Sequence, residues 1–197
     1  MEIDLKNLTP DIRHLDDMRK VLYDQAWVKT AENSDLYFMY RGIEEKNKIR
    51  YDITVVPQKM LGEEFVKTKG HYHIGKYQEI YTVLNGQAIY LMQKRFKDDQ
   101  IEDVYAVLAE KGDVVIIPSD YGHITINPSE NEELKMANWV ASDCKSDYSL
   151  FEKLQGACYY YTKNGWIKNE NYKFTPELRF EEPLKEVPEN LDFLKAI

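Results

Sequence analysis

Thr68-Lys69-Gly70-His71-Tyr72-His73, followed by Glu79-Ile80-Tyr81-Thr82-Val83-Leu84, carries more information than any other stretch of this chain. Side chains two positions apart on a strand share a face, so His71 and His73 can reach one point. Glu79 opens the next run of strand formers and brings a carboxylate. Further along, Gly112-Asp113-Val114-Val115-Ile116-Ile117-Pro118 leads to Gly122-His123 and Asn127, so a third imidazole sits at the edge of another strand. The chain has four histidines, and three of them fall in this pattern. Three neutral imidazoles and one carboxylate suit Fe²⁺, Mn²⁺, Ni²⁺ or Zn²⁺. His14 stands apart and reads as structural.

Working outward, the chain is a series of short strands. Leu36–Arg41, Tyr51–Val56, Phe65–His73, Val104–Leu108, Val114–Ile117, His123–Ile126 and Leu134–Val140 all read as β. Asn85-Gly86 between Glu79–Leu84 and Gln87–Met92 predicts a type I′ hairpin. Ala157–Thr162 and Trp166-Ile167 predict another across Lys163-Asn164-Gly165. Thr9-Pro10-Asp11 predicts a helix from Asp11 to Tyr23, because Ile12, Leu15, Met18 and Leu22 recur at helical spacing. Ser146-Asp147-Tyr148 opens a short helix ended by Gly156. The expected organisation is one domain over residues 1–197. It has an N-terminal helical extension to about residue 30 and an irregular surface tail from about 175. Strands spaced about ten residues apart indicate a sandwich or barrel with a few peripheral helices.

Composition narrows the function classes. The 197 residues carry a net charge of -8, which opposes a phosphate backbone and argues against nucleic acid as partner. A single phosphorylated metabolite is not disfavoured by that balance. No apolar run approaches the ~18 residues of a membrane helix. Met1–Asp11 lacks the apolar core of a signal peptide, so a cytoplasmic protein is expected. Cys144 and Cys158 form no CxxC and read as small buried hydrophobes.

The two histidine segments match the paired motifs of the cupin superfamily, whose members form double-stranded β-helix barrels of the jelly-roll type. Thr68–His73 with Glu79-Ile80-Tyr81, and Thr54 upstream, closely resembles the cupin-type glucose-6-phosphate isomerases of archaea and some bacteria. That resemblance implies a metal-dependent aldose–ketose isomerase of glycolysis and gluconeogenesis, interconverting glucose 6-phosphate and fructose 6-phosphate. It implies one divalent ion per subunit, iron(II) first, held by His71, His73, Glu79 and His123. Thr54, Thr68, Gly70 and Tyr37 would hold the phosphate, with no side chain at Gly70 to obstruct backbone approach. Lys69 could add charge there, although strand alternation would turn it to solvent. Tyr81 would line the sugar, and a homodimer is the implied assembly.

The resemblance also has departures. Only five residues separate His73 from Glu79, one fewer than in archaeal members. Val140 and Ser146 stand where those members carry a tyrosine and a histidine, which leaves Tyr148 or Tyr160 as replacements at the sugar end. Glu79 is a candidate base for a cis-enediol route, and Tyr81 a proton shuttle for a direct hydride route; the residues leave both open. A non-catalytic sugar-binding cupin and a cupin dioxygenase are the alternatives.

Overall fold

The computed structural model describes residues 3–195; the ends of the expected extension and tail, residues 1–2 and 196–197, lie outside the described residues. The first half contains β1 (Asp11–His14), α1 (Leu15–Met18), α2 (Gln25–Thr30), β2 (Asp35–Lys46), β3 (Ile49–Val56), β4 (Met60–Leu61), β5 (Glu64–Phe65), β6 (Tyr72–His73) and β7 (Glu79–Asn85). It continues with β8 (Gln87–Lys97), β9 (Gln100–Glu110), β10 (Val114–Ile117), β11 (Tyr121–Ile126), β12 (Leu134–Ala141) and β13 (Ser146–Asp147). Then come α3 (Ser149–Lys153), β14 (Tyr159–Thr162), β15 (Gly165–Lys168) and β16 (Arg179–Glu181).

Two sheets build the barrel. One runs β1-β2-β3-β12-β7-β10 and the other β11-β8-β9-β16. Alternation along the strands divides their faces. Tyr81 and Val83 of β7, Val115 and Ile117 of β10, and Leu134 and Met136 of β12 join Tyr90 and Met92 of the second sheet in the main core. Their neighbours Ile80, Val114 and Ala137 turn to the outer face of the first sheet, where chain from either end covers them: Leu194 packs with Ile80 and Val114, and Ile3 and Leu5 with Ala137. The architecture is the expected mainly-β cupin jelly roll.

Several local expectations are corrected. Asn85-Gly86 does not close a hairpin, because β7 pairs with β12 and β10 while β8 pairs with β9 and β11. The dipeptide turns a corner between sheets. Gly86 has φ +74°, and a Cβ there would sit 2.5 Å from the carbonyl oxygen of Glu133. The turn with two left-handed residues lies at Asn47 (φ 51°) and Lys48 (φ 66°), closing β2 onto β3.

The helix expected over Asp11–Tyr23 begins only at Leu15. Ile12 and Arg13 belong to β1 and pair with Phe38 and Tyr37 of β2. Leu15 and Met18 are fully buried, but Ile12 is 38% exposed, so it is not part of the helical stripe. The strand expected from Phe65 to His73 is interrupted at Lys69-Gly70. Thr68 bonds Thr125 and His71 bridges His123, so three steps on one chain oppose two on the other, a bulge. The tail is more regular than expected: β16 adds to β9 in parallel, and Leu184 bridges Val114.

Candidate metal centre and anion pocket

Period-2 alternation brings one cavity its lining. β3 contributes Arg50, Asp52 and Thr54, β12 contributes Met136, Asn138 and Val140, and β7 contributes Glu79 and Tyr81. The bulge before β6 adds Thr68, Lys69 and Gly70 beside His71 and His73, and β11 adds His123. Arg13, Tyr37 and Tyr148 also line it, as do Cys144 and Ser146.

His71, His73, Glu79 and His123 each present one donor atom, all within 4.8 Å of one another. The Nε2 atoms of His73 and His123 lie 3.3 and 3.4 Å from the same oxygen, Glu79 Oε2. Donors bound at about 2.0–2.2 Å and at right angles about one ion would be about 3 Å apart, so the spacing is near what a single dication requires. Glu79 Oε2 and both ring nitrogens of His123 are buried with no hydrogen-bond partner among the described residues. Orphaned buried polar atoms of this kind are rare, and a shared cation accounts for Glu79 Oε2 and His123 Nε2. The donor set therefore fits a divalent metal.

Neighbouring groups orient the ligands. The side-chain amide of Asn138 donates to Glu79 Oε1 at 2.6 Å. His73 Nδ1 lies 3.0 Å from the Tyr77 carbonyl, which assigns its proton to Nδ1 and leaves Nε2 free to ligate. Burial would raise the Glu79 carboxyl, but His123 and His73 outweigh it and hold it well below the usual carboxylate range. Burial, aided by His123, pushes the His71 imidazole well below its ordinary value. The Glu79 carboxylate and the His71 imidazole are thus in ligating forms. Burial would lower His73 too, but Cys144 and Glu79 overcome it and push His73 up to about 10, so its Nε2 gives up a proton to ligate.

The shorter loop before Glu79 does not displace the carboxylate from the imidazoles. Tyr81 is buried beside Glu79, and burial first, then the neighbouring negative charge, raise its phenol well above the ordinary value. It stays a proton donor at neutral pH. Thr68 Oγ1 accepts from the Thr125 backbone at 2.9 Å, and the Tyr37 hydroxyl accepts from Lys69 N–H at 3.2 Å. Each keeps its own O–H to offer. Gly70 adopts φ +84°, and a Cβ there would overlap Ile124 and Phe151. The core beneath the bulge, as well as the cavity, therefore demands glycine.

Tyr160 is not part of this cavity, contrary to expectation. Its hydroxyl donates to the Gln155 carbonyl and its ring packs on Tyr23. Tyr148 is the tyrosine of the pair that lines the cavity, its ring tilted 50° against His71 with centroids 5.5 Å apart. Lys69 does not face solvent: it is buried against the cavity and paired with Glu152 at 2.5 Å, because the bulge breaks strand alternation. His14, as expected, is remote and pairs with Asp35. Sequence reasoning missed Arg13, Arg41, Arg50, Asp52 and Asn138. None lies in the histidine motifs, and only cross-strand register brings them to the cavity.

The family model for glucose-6-phosphate isomerase (GPI) matches residues 12–177. The chain belongs to that family. The glucose-6-phosphate isomerase of Thermococcus litoralis is 31% identical over 73% of this chain and 76% of its own. Those of Pyrococcus abyssi and Pyrococcus furiosus are 27% and 28% identical, over 80% of this chain and 83% of theirs. Among solved structures, an oxalate oxidase aligns with TM-score 0.41 and 13% identity, covering 52% of this chain and 49% of that one. Family membership and site agree in one respect that matters for chemistry: the matched span holds all four candidate ligands and the whole cavity lining.

Proposed function

We propose that this chain is a metal-dependent glucose-6-phosphate isomerase acting on the open-chain sugar phosphate. The observation that carries the reading is the four-donor cluster of His71, His73, Glu79 and His123, set in the same cavity as Thr54, Thr68, Gly70 and Tyr37. One end of the cavity suits a dication and the other an anion. A dication held by the four donors would polarise the oxygens on C1 and C2 of the sugar. Iron(II) is the ion we favour, with Mn²⁺, Ni²⁺ and Zn²⁺ as substitutes.

The protein groups divide the remaining work. Thr54, Thr68, Tyr37 and the backbone at Gly70 hold the phosphate through hydroxyl and amide donors, which need no basic patch. Tyr148 closes over the chain of the substrate. Tyr81, kept protonated, donates and recovers a hydroxyl proton at the reacting end. Glu79 is poorly placed as a carbon base: Oε1 is engaged by Asn138, and Oε2 faces the imidazoles. That engagement favours direct transfer of hydrogen from C2 to C1 over an enediol with solvent exchange. A homodimer in the cytoplasm is part of the same proposal.

The test is a coupled assay of fructose 6-phosphate conversion after metal stripping and reconstitution, with C2-deuterated glucose 6-phosphate as second substrate. The reading expects metal-dependent turnover and deuterium retained at C1. It expects His73→Ala to lose metal and turnover while remaining folded. Binding of sugar phosphate without turnover under every divalent ion would instead favour a non-catalytic cupin, and oxygen consumption a dioxygenase.

A further inference from the structure

Four cationic side chains line the cavity: Arg13, Arg41, Arg50 and Lys69. Three are committed. Arg50 Nε bonds Asp52 at 2.9 Å, Arg41 pairs with Asp11 at 3.1 Å, and Lys69 pairs with Glu152 at 2.5 Å. Arg13 has no carboxylate partner among the described residues, and its Nε is buried without any hydrogen-bond partner.

The position of Arg13 follows from β1. It stands directly opposite Tyr37 in the β1–β2 register, so both side chains lie on one face. Its guanidinium carbon lies 6.0 Å from the Tyr37 ring centre and 5.6 Å from that of Tyr148. Those rings cover faces of the guanidinium but do not accept its in-plane N–H groups. The Tyr37 hydroxyl lies close enough to interact with the guanidinium, but an arginine with no carboxylate partner and an unspent Nε, in one cavity with Thr54 and Thr68, is suited to receive an oxyanion.

We propose that Arg13 is the charged member of the phosphate subsite, a specificity-determining residue that selects phosphorylated over free sugars. The inference rests on the sugar-phosphate reading above. It assigns to the N-terminal strand a direct part in ligand binding. The strand would thereby do more than cover an edge of the sheet.

The experiment titrates inorganic phosphate into the Mn²⁺-loaded full-length protein by calorimetry, comparing wild type, Arg13→Met and Arg13→Lys. Mn²⁺ affinity is measured on each, and KM and kcat for fructose 6-phosphate follow. A hydrogen bond to a charged group is strong enough that Arg13→Met should weaken phosphate binding about tenfold to hundredfold. Arg13→Lys should recover part of the loss, because it keeps the charge and loses the fork. Mn²⁺ affinity should stay within about twofold, and KM should rise while kcat changes by less than about threefold, the pattern of lost uniform binding. Unchanged phosphate affinity in Arg13→Met would overturn the inference. So would loss of phosphate and Mn²⁺ together in both variants, which marks a collapsed pocket. Arg13-dependent phosphate binding in a wild-type protein that never isomerises would refute the proposed function and leave the assignment of Arg13 standing.

Discussion

Replacing Asn138 isolates the contribution of ligand orientation. Its amide reaches Glu79 Oε1 at 2.6 Å in a buried setting, from β12, where it lies opposite Tyr81 on β7 and Asp52 on β3. Asn138→Leu keeps approximate volume and removes the donor. A hydrogen bond to a charged group contributes about 1.5–3 kcal/mol, and its loss leaves a buried carboxylate oxygen unsatisfied. Loss of an outer partner of a metal ligand typically lowers affinity about tenfold to hundredfold, or about 1.4–2.7 kcal/mol, so two independent routes reach the same range. The assay is chelator competition with Mn²⁺ on wild type, Asn138→Leu and Asn138→Asp. Asn138→Asp should also fail, because it puts a second carboxylate against Glu79. Affinity of Asn138→Leu within about twofold of wild type, with folding intact, would refute the claim that Glu79 is held in place by this amide.

Tyr81→Phe should lower kcat about a hundredfold or more with metal affinity unchanged, read by steady-state kinetics; a fall of less than about threefold would remove Tyr81 from the proton path. Gly86→Ala should destabilise by about 1–3 kcal/mol, and by more than Gly112→Ala. Both positions have positive φ, but only at Gly86 would the new Cβ meet backbone. Equal melting temperatures for the two variants would contradict this. Arg179 hydrogen bonds hold the Asp103 carboxyl below its ordinary range, which links the tail strand β16 to pH. A depressed folded-state value gives stabilisation that is complete above the unfolded value of about 3.9 and lost as pH falls through the folded one. Hydrogen-exchange protection of residues 179–181 should therefore hold at neutral pH and drop in strong acid, and a drop already complete at pH near 6 would exclude this pair as the cause.

The metal ligands were legible because their geometry is local. His71 and His73 are two apart on extended chain, and Glu79 and His123 each begin or follow a turn marked by glycine or proline. The strands were legible from alternation, as in Met136, Asn138 and Val140. What failed was connectivity. Gly86 supplies the same positive φ to a corner as to a hairpin, and the difference lies in Glu133, which is distant in sequence. Arg13 was hidden by Ile12, Leu15 and Met18, whose spacing imitates a helix even though the first of them is on β1. Tyr160 was a candidate for the sugar end because Val140 and Ser146 left a gap there, yet its hydroxyl is taken by Gln155. Asn138 gave no signal because nothing in its neighbourhood mentions Glu79; only the β12–β7 register joins them.

Anomalous diffraction from crystals grown with Mn²⁺ tests the four-ligand convergence most directly. The account predicts one strong peak per chain, about 2.0–2.3 Å from a nitrogen of each of His71, His73 and His123 and from Glu79 Oε2. A saturated protein whose manganese peak lies elsewhere, or whose peak excludes any of those four side chains, would contradict it.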